Sequence, residues 1–342
     1  MLRSTKSLLM IFSFLFITVS IAQDKVFTSY DLLRTKYVVE TSISPDGNYI
    51  AYTLHVPRQL NDEPGNHFRY LYLFTLVNGE STMLLGDNVF VSSIGWMPDS
   101  KSITFRAKLN EDKFTQVYQL SLDSDQPFAI TNSLSSVLQY GISSDGNQLA
   151  FVATSLKSKE KKEFIDKGFD AEIYEEEYLD RNLYLLQLKS QMMEPRQITS
   201  SVSVFDFQWS PNGTQIAAFI ADKNLVDYSY MFKKVYLIDP ATGEGTLQLD
   251  NPGKITQMKW SPDGKHIALI ASSGVNDAVT GSLIITQVPN SKKFTELKNY
   301  ASGKELSIRN IYWKDENTIL YRSEEGVDIS LSEQGIEDAE RK

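Results

Sequence analysis

The chain has 342 residues, a net charge of −9, 42% hydrophobic and 23% charged residues, and no cysteine. This composition is that of a globular chain with a real core. The acidic balance argues against nucleic acid as a partner, since that binding rests on Lys and Arg neutralising phosphates. The absence of cysteine excludes disulfides and an acylated N-terminal cysteine.

In chain order, residues 1–22 come first. Arg3 and Lys6 precede an apolar run of 14 residues, Leu8 to Ile21, interrupted only by Ser and Thr, and Ser20-Ile21-Ala22 places small residues before Gln23. That is the layout of a signal peptide cut after Ala22, and the run is short for a bilayer span. The expected mature domain is 23–342, periplasmic or secreted, with no membrane span after signal cleavage.

A repeat then runs down the chain. Ile43-Ser44-Pro45-Asp46-Gly47 leads into Ile50-Ala51-Tyr52, and Trp96-Met97-Pro98-Asp99-Ser100 into Ile103-Thr104-Phe105. Ile142-Ser143-Ser144-Asp145-Gly146, Trp209-Ser210-Pro211-Asn212-Gly213 and Trp260-Ser261-Pro262-Asp263-Gly264 follow the same pattern, and Trp313-Lys314-Asp315-Glu316-Asn317 is a weaker, shorter version. The steps between markers are 53, 46, 67, 51 and 53 residues, and all four Trp of the chain occupy the one slot. Pro presets the turn dihedral, Asp or Asn bonds locally, and Gly accepts the left-handed conformation that returns the chain, so each motif predicts a hairpin.

A third strand is predicted at Leu71-Tyr72-Leu73, Val117-Tyr118-Gln119, Leu183-Tyr184-Leu185, Val235-Tyr236-Leu237 and Leu283-Ile284-Ile285. A fourth, more polar strand is predicted to end near Leu84, Ile130, Ile198, Leu249 and Leu297. Four strands in about 50 residues make a propeller blade. The expected fold is all-β, a β-propeller of four-stranded blades with about six blades present; a β-sandwich or an open stack of hairpins is the alternative. The ring is expected to be incomplete, because Ser323 to Lys342 turns polar and acidic and offers no further Tyr-centred strand.

The step of 67 marks an insert at 155–181 in blade three. A charge run, Lys157 to Glu163, precedes the acidic stretch Asp170-Ala171-Glu172-Ile173-Tyr174-Glu175-Glu176-Glu177-Tyr178-Leu179-Asp180-Arg181. These carboxylates admit three readings: a solvated acidic loop, recognition of a ligand ammonium by charge-assisted hydrogen bonds, or Ca²⁺ binding, for which EF-hand spacing is missing. In the first blade His55, His67, Asp62 and Glu63 lie near one loop, but their spacing matches no metal-ligand pattern. His266 reads as a surface strand residue. No cofactor and no metal are expected. Gly-x-Ser-x-Gly, Walker and Rossmann patterns are missing from the sequence, so no catalytic residue is expected in this chain.

The repeat Trp-Ser-Pro-Asp-Gly-Lys-x-Ile-Ala resembles exported propellers of two groups: TolB-like periplasmic proteins and the N-terminal propellers of prolyl-oligopeptidase-family serine peptidases, especially the acylaminoacyl-peptidase and dipeptidyl-peptidase IV branches. Phe27-Thr28-Ser29-Tyr30-Asp31-Leu32-Leu33 and Glu177-Tyr178-Leu179-Asp180-Arg181-Asn182-Leu183-Tyr184 look like the peptidase group over about residues 25–321. The resemblance implies a substrate-gating propeller, non-catalytic by itself, whose partners are peptides or a missing α/β-hydrolase domain; a free-standing TolB-like binding propeller is the alternative. Tyr174-Glu175-Glu176 is similar to a Tyr-Glu-Glu stretch that grips the free amine in the dipeptidyl-peptidase branch, which implies amine binding by Glu175 and Glu176.

Overall fold

The computed structural model describes residues 26–189, 194–275, 281–301 and 306–337. Residues 1–22, expected from the sequence to be a signal peptide, lie outside them. Residues up to Thr35 form a unit of their own. Its described part holds one short helix, α1 (Ser29–Leu32), closed by a capping box in which the Thr28 hydroxyl accepts from Asp31 N and the Asp31 carboxylate accepts from Thr28 N.

The unit from Lys36 onward is built of six antiparallel sheets, the blades of a β-propeller. Blade 1 is β1 (Tyr37–Ile43), β2 (Tyr49–Val56), β3 (Phe68–Thr75) and β4 (Glu80–Leu85); blade 2 is β5 (Ser92–Trp96), β6 (Ser102–Ala107), β7 (Gln116–Ser121) and β8 (Phe128–Ala129). Blade 3 is β9 (Val137–Ile142), β10 (Gln148–Thr154), β11 (Arg181–Gln187) and β12 (Arg196–Gln197); blade 4 is β13 (Ser203–Trp209), β14 (Ile216–Ala221), β15 (Lys234–Ile238) and β16 (Gly245–Leu249). Blade 5 is β17 (Ile255–Trp260), β18 (His266–Ala271) and β19 (Ser282–Gln287); blade 6 is β20 (Ser307–Trp313), β21 (Thr318–Glu325) and β22 (Asp328–Gly335).

Two strand expectations need correction. The stretch ending at Leu297 is no strand: a 3-10 turn, Phe294–Glu296, occupies it, and among the described residues an isolated bridge from Ile284 to Asn299 continues the sheet there. Its residues lack apolar alternation, and the Asn290 side chain bonds the main chain locally instead. Conversely, the polar segment after Ser323 does supply a third strand, β22, fully paired with β21 from Thr318↔Gly335 to Glu325↔Asp328. Ile329 and Leu331 alternate there with Ser330 and Ser332, a period of two hidden by the polar and acidic composition.

The hairpin motif works as its chemistry requires. In blade 1 the Ser44 hydroxyl donates to Asp46 Oδ1 (2.6 Å) and accepts from Tyr49 N (3.0 Å), while Gly47 N bonds Ser44 O (2.9 Å) at φ 72°. Ser143/Asp145, Ser210/Asn212 and Ser261/Asp263 repeat this in blades 3, 4 and 5. These bonds hold the carboxyls of Asp46 and Asp145 below their usual range and Asp263 down at about 2.

The single Trp slot is explained by what the indole does. Trp96 Nε1 donates to Ser42 O (3.0 Å), Trp209 to Gly141 O (3.0 Å), Trp260 to Gln208 O (3.3 Å) and Trp313 to Lys259 O (3.0 Å). Each indole clasps the main chain of the preceding blade. Blade 3 has Ile142 in the slot, and the Tyr140 hydroxyl takes over, donating to Ser93 O (2.8 Å) beside Thr104 Oγ1; burial pushes its pKa up. The apolar clusters straddle neighbours in the same sequence: Leu71 with Phe105, Val117 with Phe151, Ala218 with Leu183, Phe219 with Leu269, and Ala268 with Tyr321.

The first strands of successive blades contact one another, β1 with β5, β9 with β13, β13 with β17 and β17 with β20, so they form the inner rim. Three residues before each Trp-slot residue stands a polar side chain: Glu40, Ser93, Gln139, Asp206, Gln257 and Asn310. Glu40 accepts from Ser93 N and Ile94 N (2.9 Å each), Gln139 donates to Asp206 Oδ1 and Phe207 O, and Gln257 accepts from Ile311 N. Burial pushes the Glu40 carboxyl up, opposed by these two N–H donors.

Candidate functional site

Antiparallel order puts every connection between second and third strands at one end of the blades and the tight Ser-Pro-Asp-Gly turns at the other. The turns between first and second strands are short in every blade. The connections between second and third strands vary more, and the longest joins β10 to β11, residues 155–180. Loops on a rigid scaffold are where binding groups are placed.

The charge run of this insert forms α2 (Lys159–Asp166), N-capped by Ser158, whose hydroxyl accepts from Lys161 N. Its lysines then brace the acidic stretch. Lys161 Nζ bonds Ala171 O (2.8 Å) and the Glu177 carboxylate (2.7 and 2.8 Å), Glu177 also accepts from Ile173 N (3.1 Å), and Lys157 pairs with Glu172. These partners lower the carboxyl pKa values of both Glu172 and Glu177. The turn closes through Glu176 N and Glu177 N on Ile173 O. Glu175 and Glu176 stand at its tip, exposed, with side chains that make no hydrogen bond and no ion pair among the described residues. Four clustered carboxylates thus divide into a structural pair and an unengaged pair. Among the described residues no group of three or more His, Cys, Asp or Glu could hold a metal ion.

The insert is tied to the next blade. In blade 4 a short helix, α3 (Val226–Tyr230), interrupts the connection between β14 and β15. Val226 N donates to the Tyr174 hydroxyl (3.0 Å), and Asn224 Nδ2 donates to Leu179 O (2.8 Å). Tyr174 is therefore an anchor that fixes the turn bearing Glu175 and Glu176 over the junction of blades 3 and 4. Beside α3 runs an open groove of about 800 Å³, lined in part by Val202, Ile220, Tyr228, Phe232 and Tyr236.

Beneath the insert, the same junction gathers ionic groups absent from the sequence-level candidates. Asp206 is half-buried, and desolvation pushes its carboxyl up, while the Gln139 amide, Phe207 N and the charges of Lys233 and Lys259 counteract this. Burial lowers the pKa of both Arg181 and Lys233. Both cations lie over the Phe205 ring, Arg181 at 5.1 Å and Lys233 at 5.9 Å from its centroid. Phe205 is the bulged residue of β13, between Val204 and Asp206, and a bulge re-aims a side chain out of the regular alternation. The signal available in the sequence was the cation adjoining the insert, Arg181; its pairing with Phe205 and Lys233 depends on the register between blades.

The histidines do not gather around a ligand site. The rings of His55 and His67 lie 4.1 Å apart, tilted by 37°, within an aromatic column that runs from Tyr37 to Phe90, with Arg69 Nε donating to His67 Nε2 (3.3 Å). Burial and the Arg69 charge lower both imidazole pKa values. His266 is half-buried in β18, near Trp313 (6.4 Å). No helix among the described residues is long and apolar enough to cross a membrane.

The chain matches no protein-family model. Over 146 residues it is 30% identical to the uncharacterized peptidase YuxL of Bacillus subtilis (strain 168), a stretch that covers 42% of this chain and 20% of that protein. A prolyl endopeptidase structure superposes with a TM-score of 0.62 at 12% identity, over 90% of this chain and 42% of that one. The acylaminoacyl peptidase of Pyrococcus horikoshii gives 0.61 at 13% identity, over 91% and 46%. A putative TolB from Agrobacterium tumefaciens gives 0.51 at 15% identity, over 80% and 87%. The shared element is the β-propeller. This chain spans less than half the length of the peptidases it resembles, and nearly the whole length of the TolB propeller.

Proposed function

We propose that this chain is the substrate-gating propeller of an exported serine peptidase of the prolyl-oligopeptidase type, acting on peptides together with an α/β-hydrolase partner domain that supplies the nucleophile. The observation that carries the reading is the contrast between the two ends of the blades. One end carries the short turns between first and second strands, and the other presents an anchored insert with two unengaged carboxylates, Glu175 and Glu176, tied to the α3 segment that borders a groove. The likeness of the whole blade array to the propeller part of larger peptidases supports it, as does the local identity to a curated peptidase. On this reading Glu175 and Glu176 bind the ammonium of a peptide N-terminus by charge-assisted hydrogen bonds, and the leader at 1–22 directs export.

A second reading, a free-standing binding propeller of the TolB kind, is favoured by one observation: the superposition extends over 87% of the TolB chain. Reading the genomic DNA downstream of the Lys342 codon separates the two. A hydrolase reading frame with Gly-x-Ser-x-Gly is expected on the first reading, and an unrelated gene on the second. In the protein joined to its hydrolase, Glu175→Gln with Glu176→Gln is expected to raise KM for free-amine dipeptide substrates by about tenfold, the scale of one lost charge-assisted bond. An unchanged KM would return both residues to the role of a solvated loop.

A further inference from the structure

We propose that Arg181 and Lys233, converging on Phe205 at the junction of blades 3 and 4, form a binding site for a carboxylate group of a peptide. The two side chains come from different blades, Arg181 from the start of β11 and Lys233 from the residue before β15. Position and company are unusual for surface cations. The Arg181 Nε is buried and has no hydrogen-bond partner. Neither the guanidinium nor the Lys233 ammonium donates to any protein acceptor or forms an ion pair among the described residues, although Asp206 is close enough for its charge to act on both. Asp206 has already committed Oδ1 to Gln139 and Phe207 N.

Half-buried cations ordinarily find partners, since burying an unpaired charge is costly. Here the aromatic ring substitutes: Phe205 lies under both charges, and Lys233 Nζ is also 5.5 Å from the Phe219 centroid. The backbone of Arg181 is fixed independently of its head group, with its N–H donating to Ser203 Oγ (3.3 Å), which in turn donates to Asp180 Oδ1 (3.3 Å). The two head groups thus rest against the ring with no protein acceptor among the described residues. The two cations share the charge of Asp206, whose Oδ1 is already engaged. A planar, two-oxygen anion suits a guanidinium fork with an ammonium beside it. Glu175 and Glu176 offer the opposite sign at the same junction, fixed there by the Tyr174 to Val226 bond. That pairing of signs fits a zwitterionic peptide better than a simple anion. The site does not depend on whether a hydrolase partner exists.

The test is calorimetric titration of the full chain with four probes: alanyl-alanine, alanyl-alanine amide, N-acetyl-glutamate α-amide and inorganic phosphate. Alanyl-alanine is expected to bind about tenfold more tightly than its amide, the scale of one charge-assisted pair. Arg181→Gln and Lys233→Gln are each expected to erase that preference while leaving the melting temperature of the Lys233 variant near wild type. If Arg181→Gln does not fold, Lys233→Gln carries the test alone. Binding of the glutamate derivative in place of alanyl-alanine, sensitive to the same variants, supports the site and makes an acidic side chain its ligand. Equal binding of acid and amide, a preference that survives both variants, tighter binding of phosphate than of either carboxylate, or no binding of any probe overturns it.

Discussion

The two end blades expose opposite kinds of surface. In the inner blades the residue that begins the Ile-Ala-aromatic triplet packs on the blade before it, and Ile103, Leu149, Ile216 and Ile267, like Ile319 of blade 6, are all 0% exposed. Ile50 holds the same slot in blade 1 and stays half-exposed, as do Tyr52 and Leu54 on its face, while Ile43 in the Trp slot is 65% exposed. At the other end, the outward face of blade 6 carries Arg322, Glu324 and Glu333, with ion pairs Arg309–Glu324, Arg322–Glu324 and Lys314–Glu333, interspersed with exposed Ile329 and Leu331. A stack of repeats needs a polar outer face where it meets water. Blade 6 has a partly polar one; blade 1 presents the apolar face of an interior repeat. The same sequence motif therefore has different energetic weight according to whether a neighbour covers it.

The sharpest way to break this comparison is one substitution made at two equivalent slots. Ile103→Ala is expected to cost about 2–5 kcal/mol, the range for emptying a packed aliphatic site, and Ile50→Ala about 1 kcal/mol or less, as for a half-exposed side chain. Urea unfolding followed by circular dichroism gives both, and equal losses would mean that Ile50 is covered in solution. Next in size is the clasp. Trp209→Phe keeps an aromatic ring but strands the Gly141 carbonyl, with an expected loss of about 1–3 kcal/mol. A change below about 0.5 kcal/mol would show that the indole bond is replaced by water.

The smallest effect distinguishes the ends by pH. His55 and His67 have folded pKa values below the ordinary 6.5, so the unfolded chain binds protons more readily, and their contribution is lost as pH falls from 6.5 toward the folded values. Glu324 at blade 6 is held below the ordinary 4.5 by Arg309, so its contribution persists to about pH 4.5 and is lost only below it. Melting temperature recorded from pH 7.5 to 5.5 is expected to fall in wild type and to flatten in a His55→Phe, His67→Phe double variant. An identical slope in both would remove the histidine column as its source.

Much of the fold was legible in the residues because the repeat is made of groups with one job each. Trp, the Ser-Pro-Asp-Gly turn and the Tyr-centred third strand each answer a local geometric demand, and blades 1 to 4 follow them strand for strand. The failures have physical causes. Around Leu297 the pattern lost its alternation, and in β22 alternation persisted under an acidic composition. The polar residue three positions before each Trp slot was readable in all six repeats, but its meaning lies between blades. The candidate site was less legible for the same reason. Glu175 and Glu176 stand in one continuous stretch and could be singled out, whereas the Arg181, Lys233 and Phe205 cluster exists only once blades 3 and 4 are side by side.

The clasps all run one way: in every case the donor belongs to the later blade and the acceptor carbonyl to the earlier one. A carbonyl left waiting at the rim is readily hydrated, whereas an indole N–H buried without its acceptor is not. Assembly from the amino end is thus favoured at each step, since every newly completed sheet finds its docking point already in place. By the same token, removing sheets from the carboxyl end strands none of these clasp donors, while removing them from the amino end strands one at the new border.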